Sequence, residues 1–275
     1  MYTIHALVNS KCVPLVYSFL PRKTQVIYEK FLQIIAEKLS KVPKSLTIDF
    51  ELAFLNACMI IFPGVPMYLC FFHFSQSMWR KIQEIGLQAR YVESDEMRYQ
   101  LKLPTVLAFI PPDDVESVFL SQKSKVNDPQ VLEFYEYFET NYVGKTTLEA
   151  SSTRKNARKV PKKHEPLFKV ELWNVYYRLN NDIPRTNNFC EAWHNAFSSM
   201  LNSHPLIYKL IDALRREQQK TEAILIKLKT GASFYRKNKY IEYDERLKNI
   251  NSVYSKVDFE SFYNTLYRLY IFVNK

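Results

Sequence analysis

Glycine is scarce in this chain. Four glycines stand among 275 residues, beside nineteen tyrosines and nineteen phenylalanines, so tight turns are few and helices with packed aromatics are expected to dominate. No Walker or Rossmann glycine pattern and no Gly-x-Ser-x-Gly elbow is present, which removes phosphate-loop enzymes and elbow-type hydrolases from the field. No apolar run reaches membrane-spanning length, and Met1–Ser10 lacks a signal-peptide pattern, so the sequence reads as soluble, with no membrane partner. Cysteine is sparse too. Cys12, Cys58, Cys70 and Cys190 are too scattered for a disulfide framework, which favours a reducing, intracellular compartment. There is no internal repeat and no low-complexity tract.

What is present suits a large folded unit. The hydrophobic fraction of 47% rules out wholesale disorder, and the length fits one large domain or a domain with an insertion. Thirty-eight Lys and Arg against twenty-eight Asp and Glu give a formal charge of +10. That excess favours an anionic partner, nucleic acid first, although many basic proteins bind nothing of the kind.

The chain is organised around residues 46–79. Leu46, Ile48 and Phe50 alternate along a short strand with Thr47 and Asp49 on its other side. Leu52, Leu55, Met59 and Phe62 then recur at helical spacing until Pro63-Gly64 stops the helix. Val65–Cys70 is extended again, and Phe71 opens another helix. Strand, helix, strand and helix with short connections predict a parallel α/β unit, whose chemistry gathers at the carboxyl ends of the strands, where Asp49 and Cys70 sit.

Upstream, Tyr2–Asn9 and Val13–Leu20 read as a hairpin. Thr24 is placed to cap a helix with the stripe Ile27, Phe31, Ile34 and Ile35. Downstream, residues 88–150 carry several helical patterns, among them Val131–Tyr142. A helix start follows Pro111-Pro112, with Asp113 or Asp114 as its cap. Residues 151–164, SSTRKNARKVPKKH, hold six Lys or Arg and no acid and read as an exposed loop, either simply solvated or touching phosphates. Trp173–Leu179 suits a core element. A helix capped by Thr186, Asn187 or Asn188 follows, then a long amphipathic helix over Leu206–Lys229 with Ile207, Leu210, Ile211, Leu214, Leu225 and Leu228 inward. Ile241–Val273 gives two more helices.

Several side chains have two readings. Asp49 is either the cap of the next helix or a carboxylate held for a divalent cation at the strand edge. Glu191 either closes a capping box with Asn188 or is a metal-binding carboxylate on a first helical turn. Cys70 and His73, with Cys190 and His194, have the ligand count of a structural zinc site drawn from two close pairs, though the pairs are far apart in sequence. The bland reading makes Cys70 a small core residue and His73 a satisfied one. Phe71, Phe72, Phe74, Trp79 and Trp193 are core aromatics or stacking platforms for unpaired bases.

Taken in order, the blocks PLVYSFLPRKTQVIYEKFLQII, LTIDFELAFLNA, FPGV, CFFHFSQSMWRKIQEIGL, LAFIPPDDV and PRTNNFCEAWHNAF resemble the Mutator-like element (MULE) transposase domain, from about Tyr2 to about Leu228. The resemblance implies an α/β, RNase H-like mixed sheet with a helical insertion and an α-helical C-terminal region. Residues 1–87 would form the first part of the core and 88–185 the insertion with its basic loop. Residues 186–230 would supply the last core helices with the third acid, and 231–275 a helical tail. It also implies an Asp-Asp-Glu set holding Mg²⁺ or Mn²⁺ for cleavage and strand transfer of DNA, in the nucleus. On matching positions Asp49 is the second acid and Glu191 the third, with His73 beside the scissile phosphate. Arg154, Lys155, Arg158, Lys159, Lys162 and Lys163 would contact DNA. No residue matches the first acid, and the strand expected to carry it would precede Tyr2. The sheet is therefore expected to be incomplete, its first strand missing, and the chain to be an amino-terminally truncated, inactive fragment. The alternative is a domesticated DNA-binding or dimerising protein that keeps the fold without the chemistry; a homo-oligomer is compatible with either.

Overall fold

A computed structural model describes residues 1–9, 11–150, 159–232, 234 and 238–273. In chain order the elements are β1 (Tyr2–Val8), β2 (Lys11–Ser18), α1 (Gln25–Ala36), β3 (Leu46–Ile48), α2 (Leu52–Ile61), β4 (Met67–Leu69) and α3 (Phe71–Glu84). Five helical segments follow: α4 (Gln88–Glu93), α5 (Asp95–Leu107), α6 (Pro112–Lys123), α7 (Pro129–Phe138) and a π-helical turn over Glu139–Val143. Strands β5 (Lys145–Ala150) and β6 (Lys159–His164) lead into the short helices α8 (Val170–Trp173) and α9 (Tyr176–Asn180). The chain closes with α10 (Asn188–Ser199), α11 (Ile207–Lys229), α12 (Asn238–Ser252) and α13 (Phe259–Val273). The class is mixed α/β, mostly helical, with small sheets. Among the described residues the six strands form three two-stranded sheets, β1–β2, β3–β4 and β5–β6.

Two compact units share the chain. The first holds Met1–Lys44, Glu51–Val65 and Asn187–Tyr243, the second Ser45–Phe50, Pro66–Thr186 and Asp244–Lys275.

The first unit is built on the β1–β2 hairpin. Its strands reverse at Asn9, whose φ of 47° suits the left-handed tolerance of asparagine. Between Ile4 and His5 the register slips by one, leaving Leu15 as the extra residue beside Pro14; a bulge is where a strand tolerates a residue without an N–H. Strand alternation gives the hairpin two unlike faces. On one, the Tyr2 ring meets Tyr28 and Phe31 of α1 and Phe54 of α2 at centroid distances of 5.4, 5.8 and 5.0 Å. On the other, His5 and Tyr17 meet Trp193 of α10 at 5.2 and 5.7 Å.

Three helix faces differ from the sequence expectation. In α1 the buried residues are Tyr28, Phe31 and Leu32, and Ile34 is exposed; Tyr28 is turned inward by the Tyr2 and Phe54 rings and donates its hydroxyl to Glu51. Helix α2 buries Phe54, Leu55, Ala57 and Cys58, leaving Leu52 and Met59 exposed. Helix α11 buries Glu217, Thr221 and Leu228, while Ile207 and Ile211 face solvent. Its inner face is polar because Trp193 Nε1 donates to Glu217 Oε2 at 3.0 Å and Thr221 lies beside the Tyr17 hydroxyl.

The second unit has an aromatic core. Phe74 of α3 stacks on Trp173 of α8 at 4.9 Å and an interplanar angle of 7°. Phe138 and Tyr142 pack against that pair, and Phe168 stacks on Tyr142. In α6 the cap is Pro111 and Pro112 is the first helical residue. Asp113 and Asp114 fall inside the first turn, complementing the helix dipole rather than capping it. Residues 159–164 form a strand where a loop is expected, because each pairs with the threonine-bearing segment 145–150. Arg178, 1% exposed, donates Nη1 to Leu69 O at 2.8 Å and Nη2 to Pro184 O, and its guanidinium lies 5.0 Å from the Tyr68 ring centre. It ties the end of β4 to the segment ahead of α10.

Candidate functional site

Strands β3 and β4 run parallel, with Leu46, Thr47 and Ile48 opposite Met67, Tyr68 and Leu69. Cys70 N then donates to Ile48 O at 2.9 Å, so the residues just past each strand, Asp49 and Cys70, emerge side by side at the carboxyl edge. Helix α3 starts directly on β4, with Cys70 at its cap position and His73 on its first turn. His73 Nδ1 lies 3.0 Å from Asp49 Oδ1. Ligand atoms of Asp49, Cys70 and His73 all fall within 4.8 Å of one another. The helix therefore delivers the imidazole to the strand end by local geometry alone.

Two of the simple readings do not hold. Glu51, not Asp49, occupies the cap of α2, so Asp49 is released for His73. Helix α10 is capped at Asn187, which puts Glu191 one residue beyond the capping-box position; one of its carboxylate oxygens is shielded from solvent.

The electrostatics of the strand-end cluster follow from its partners. The Asp49 carboxylate, helped by the Cys70 sulfur acting as an acceptor, raises the His73 imidazole from 6.5 to about 10 against the opposing effect of burial. His73 is therefore paired with Asp49 as a cation at neutral pH. Asp49 keeps its side chain 54% exposed, open to an incoming ligand.

Glu191 belongs to the first unit and Asp49 to the second. The other members of the expected zinc set divide in the same way. Cys70 and His73 group with Asp49, whereas Cys190 groups with His5 and Cys12. Cys12 Sγ is 4.0 Å from Cys190 Sγ and 3.5 Å from His5 Nδ1. His194 Nε2 bonds Thr3 Oγ1 at 2.9 Å, and the same hydroxyl bonds His5 Nε2 at 3.1 Å. The hydrogen bond to Cys190, with His5 and Lys11 assisting, lowers the Cys12 thiol to about 6 despite its burial. His5 and Cys12 are absent from the sequence-derived set. The hairpin register contains the signal, since Leu7 faces Cys12 and His5 faces Pro14, which sets His5 and Cys12 diagonally on one face.

Of the basic residues, Lys159, Lys162 and Lys163 are exposed on β6. Alternation sends Lys162 to one side of the strand and Lys159 and Lys163 to the other. Lys163 is engaged with Glu116 at 2.6 Å. Arg154, Lys155 and Arg158 lie outside the described residues.

No helix among the described residues is long and apolar enough to cross a membrane. Neither the curated proteins nor the solved structures contain a match to this chain. A family match does exist, and it covers the hairpin, α1, the β3–α2–β4 crossover, Asp49, Cys70 and His73: residues 3–77 match the MULE transposase domain.

Proposed function

We propose that the chain carries the catalytic fold of a MULE-type transposase, an RNase H-like arrangement whose reaction is divalent-metal-dependent cleavage and transfer of DNA strands in the nucleus. The observation that carries this reading is Asp49 at the carboxyl edge of a parallel strand pair, inside the segment that matches the transposase domain. Residues 88–185 then act as the helical insertion, and Glu191 on the first turn of α10 is the later acid.

Asp49 and Glu191 offer carboxylate oxygens, the donors that Mg²⁺ and Mn²⁺ prefer. Such ions supply charge neutralisation and an activated oxygen nucleophile when bound. Asp49 holds a ligand position at the strand edge. When the Asp49 carboxylate is engaged elsewhere, the two N–H donors of the His73 imidazolium are suited to a phosphate oxygen. Cys70, buried at the cap of α3, orients His73. Lys159 and Lys162, with Arg154, Lys155 and Arg158, supply sequence-independent attraction to the DNA backbone.

The chain is accordingly expected to bind both DNA and Mn²⁺. Mn²⁺ binding followed by electron paramagnetic resonance should weaken in Asp49→Asn and in Glu191→Gln. An unchanged Mn²⁺ affinity in both would overturn the site. DNA binding should be salt-sensitive, and replacing Arg154, Lys155, Arg158 and Lys159 by Ala should lower the slope of log K against log salt by roughly 0.9 per lost phosphate contact. Salt-sensitive DNA binding with no Mn²⁺ site would favour the domesticated binding protein instead. Nicking with Mg²⁺ or Mn²⁺ that survives Asp49→Ala would count against the role assigned to Asp49.

A further inference from the structure

The geometry points to a second metal site, in which His5 Nδ1, Cys12 Sγ and Cys190 Sγ hold one Zn²⁺, with a water or an added ligand completing the tetrahedron. This site does not depend on the transposase reading and shares no ligand with the Asp49 cluster.

The distances are the first support. In a tetrahedral centre with Zn–S of about 2.3 Å and Zn–N of about 2.05 Å, the S···S edge is about 3.8 Å and the S···N edge about 3.6 Å. The Cys12–Cys190 and Cys12–His5 separations are 4.0 and 3.5 Å, and the third edge lies within 4.8 Å. The first two edges differ from the ideal by about 0.1–0.2 Å, and the third has at most about 1.2 Å to close. A disulfide would need the two sulfurs, now 4.0 Å apart, to close to about 2.05 Å, and it would leave the imidazole without a role.

The second support lies behind the ligands. Zinc-binding histidines commonly anchor their other ring nitrogen, which fixes the tautomer and aims the lone pair. Here His5 Nε2 is held by Thr3 Oγ1 at 3.1 Å, and Thr3 is held in turn by His194 Nε2 at 2.9 Å. Nδ1 is thereby left facing the thiols. All three ligands are half-buried, enclosed enough to keep an ion and open enough to admit one. Two thiolates and an imidazole form a soft set that suits Zn²⁺ over Mg²⁺. The ligands come from β1, β2 and α10, so the ion would clip the first turn of α10, with Glu191 next to Cys190, onto the hairpin.

The test uses the reduced 275-residue polypeptide, stripped with chelator and titrated with Co²⁺ and then Zn²⁺. The expected result is one equivalent of Co²⁺ with thiolate-to-metal charge transfer and intense tetrahedral d–d bands, bleached by Zn²⁺. The charge transfer should be lost in Cys12→Ser and Cys190→Ser and kept in Cys58→Ser and Cys70→Ser. Thr3→Val should weaken Zn²⁺ about 10–100-fold. Because a cysteine variant can misfold, wild-type protein is also alkylated with and without Zn²⁺, and Cys12 and Cys190 should be protected. No charge transfer in excess Co²⁺, a signal that follows Cys70 instead of Cys12, or no Zn²⁺ protection of the wild-type thiols would overturn the site. Mass spectrometry of the protein as purified, before any reductant, returning a Cys12–Cys190 disulfide would do so as well.

Discussion

Replacing Asp49 by Asn isolates the charge that holds His73. Within the metal-free protein the imidazole sits 3.0 Å from the carboxylate and stays protonated to about pH 10. Its place on the first turn of α3 works the other way, because a helix amino terminus disfavours a cation. The elevation is therefore owed to Asp49 first and to Cys70 second. Asn keeps the shape and removes the charge, so the His73 midpoint should fall by several pH units toward the ordinary 6.5. Asp49 is 54% exposed, and solvent screening holds the stability share of the pair to about 1 kcal/mol rather than the larger figure a direct conversion of the shift implies. The sign is fixed by the direction of the shift. A folded value raised above the unfolded one stabilises fully below pH 6.5 and fades as pH climbs through about 10. Wild type and Asp49→Asn should therefore differ in urea midpoint at roughly pH 6 and converge above roughly pH 10. The assay is an NMR titration of the His73 Cε1 proton in chelator-treated protein, with urea unfolding in parallel. A wild-type midpoint near 6.5, or an Asn variant that still titrates near 10, would refute the reasoning.

Arg178→Met removes two charge-assisted bonds, to the buried Leu69 carbonyl and the half-buried Pro184 carbonyl. Since relief from burying a charge offsets part of that loss, the expected cost is roughly 2–4 kcal/mol in urea unfolding. An unchanged midpoint would mean those carbonyls find other donors. Gly144→Ala would place a Cβ 2.8 Å from His164 O at a φ of +97°, so a loss of about 1–3 kcal/mol is expected by thermal unfolding; a variant as stable as wild type counts against the turn geometry. Burial pushes the Cys58 thiol up to about 12, so Cys58 should resist iodoacetamide at neutral pH in the native protein and react only after unfolding. Peptide mapping that finds native Cys58 alkylated as fast as Cys12 contradicts that packing.

Local patterns made part of this architecture legible. The hairpin showed in its alternation, the β3–α2–β4 crossover in its apolar runs and the Pro63-Gly64 stop, and α12 and α13 in their aromatic periodicity. Helix faces were harder. Almost every residue of α2 is apolar, so its sequence has no contrast from which to choose Phe54 and Cys58 over Leu52 and Met59. In α11 the buried Glu217 and Thr221 are chosen by Trp193 and Tyr17, partners from distant parts of the chain. Within the strand-end cluster, Asp49, Cys70 and His73 could be named from position because a parallel pair and one helical turn bring them together. The His5–Cys12–Cys190 group could not, because its last member lies 178 residues beyond Cys12 and only tertiary packing joins them.

The division of the chain into interleaved halves bears on how the polypeptide is made. The backbone passes from one half to the other after Lys44, Phe50, Val65, Thr186 and Tyr243, so no single cut yields either half intact. During synthesis the hairpin and α1 must wait for α10 and α11, which at about 5–20 residues per second is a delay on the order of ten seconds. Over that interval Thr3, His5 and Tyr17 face outward on a nascent surface without their helical cover, a stage at which chaperone capture competes with maturation.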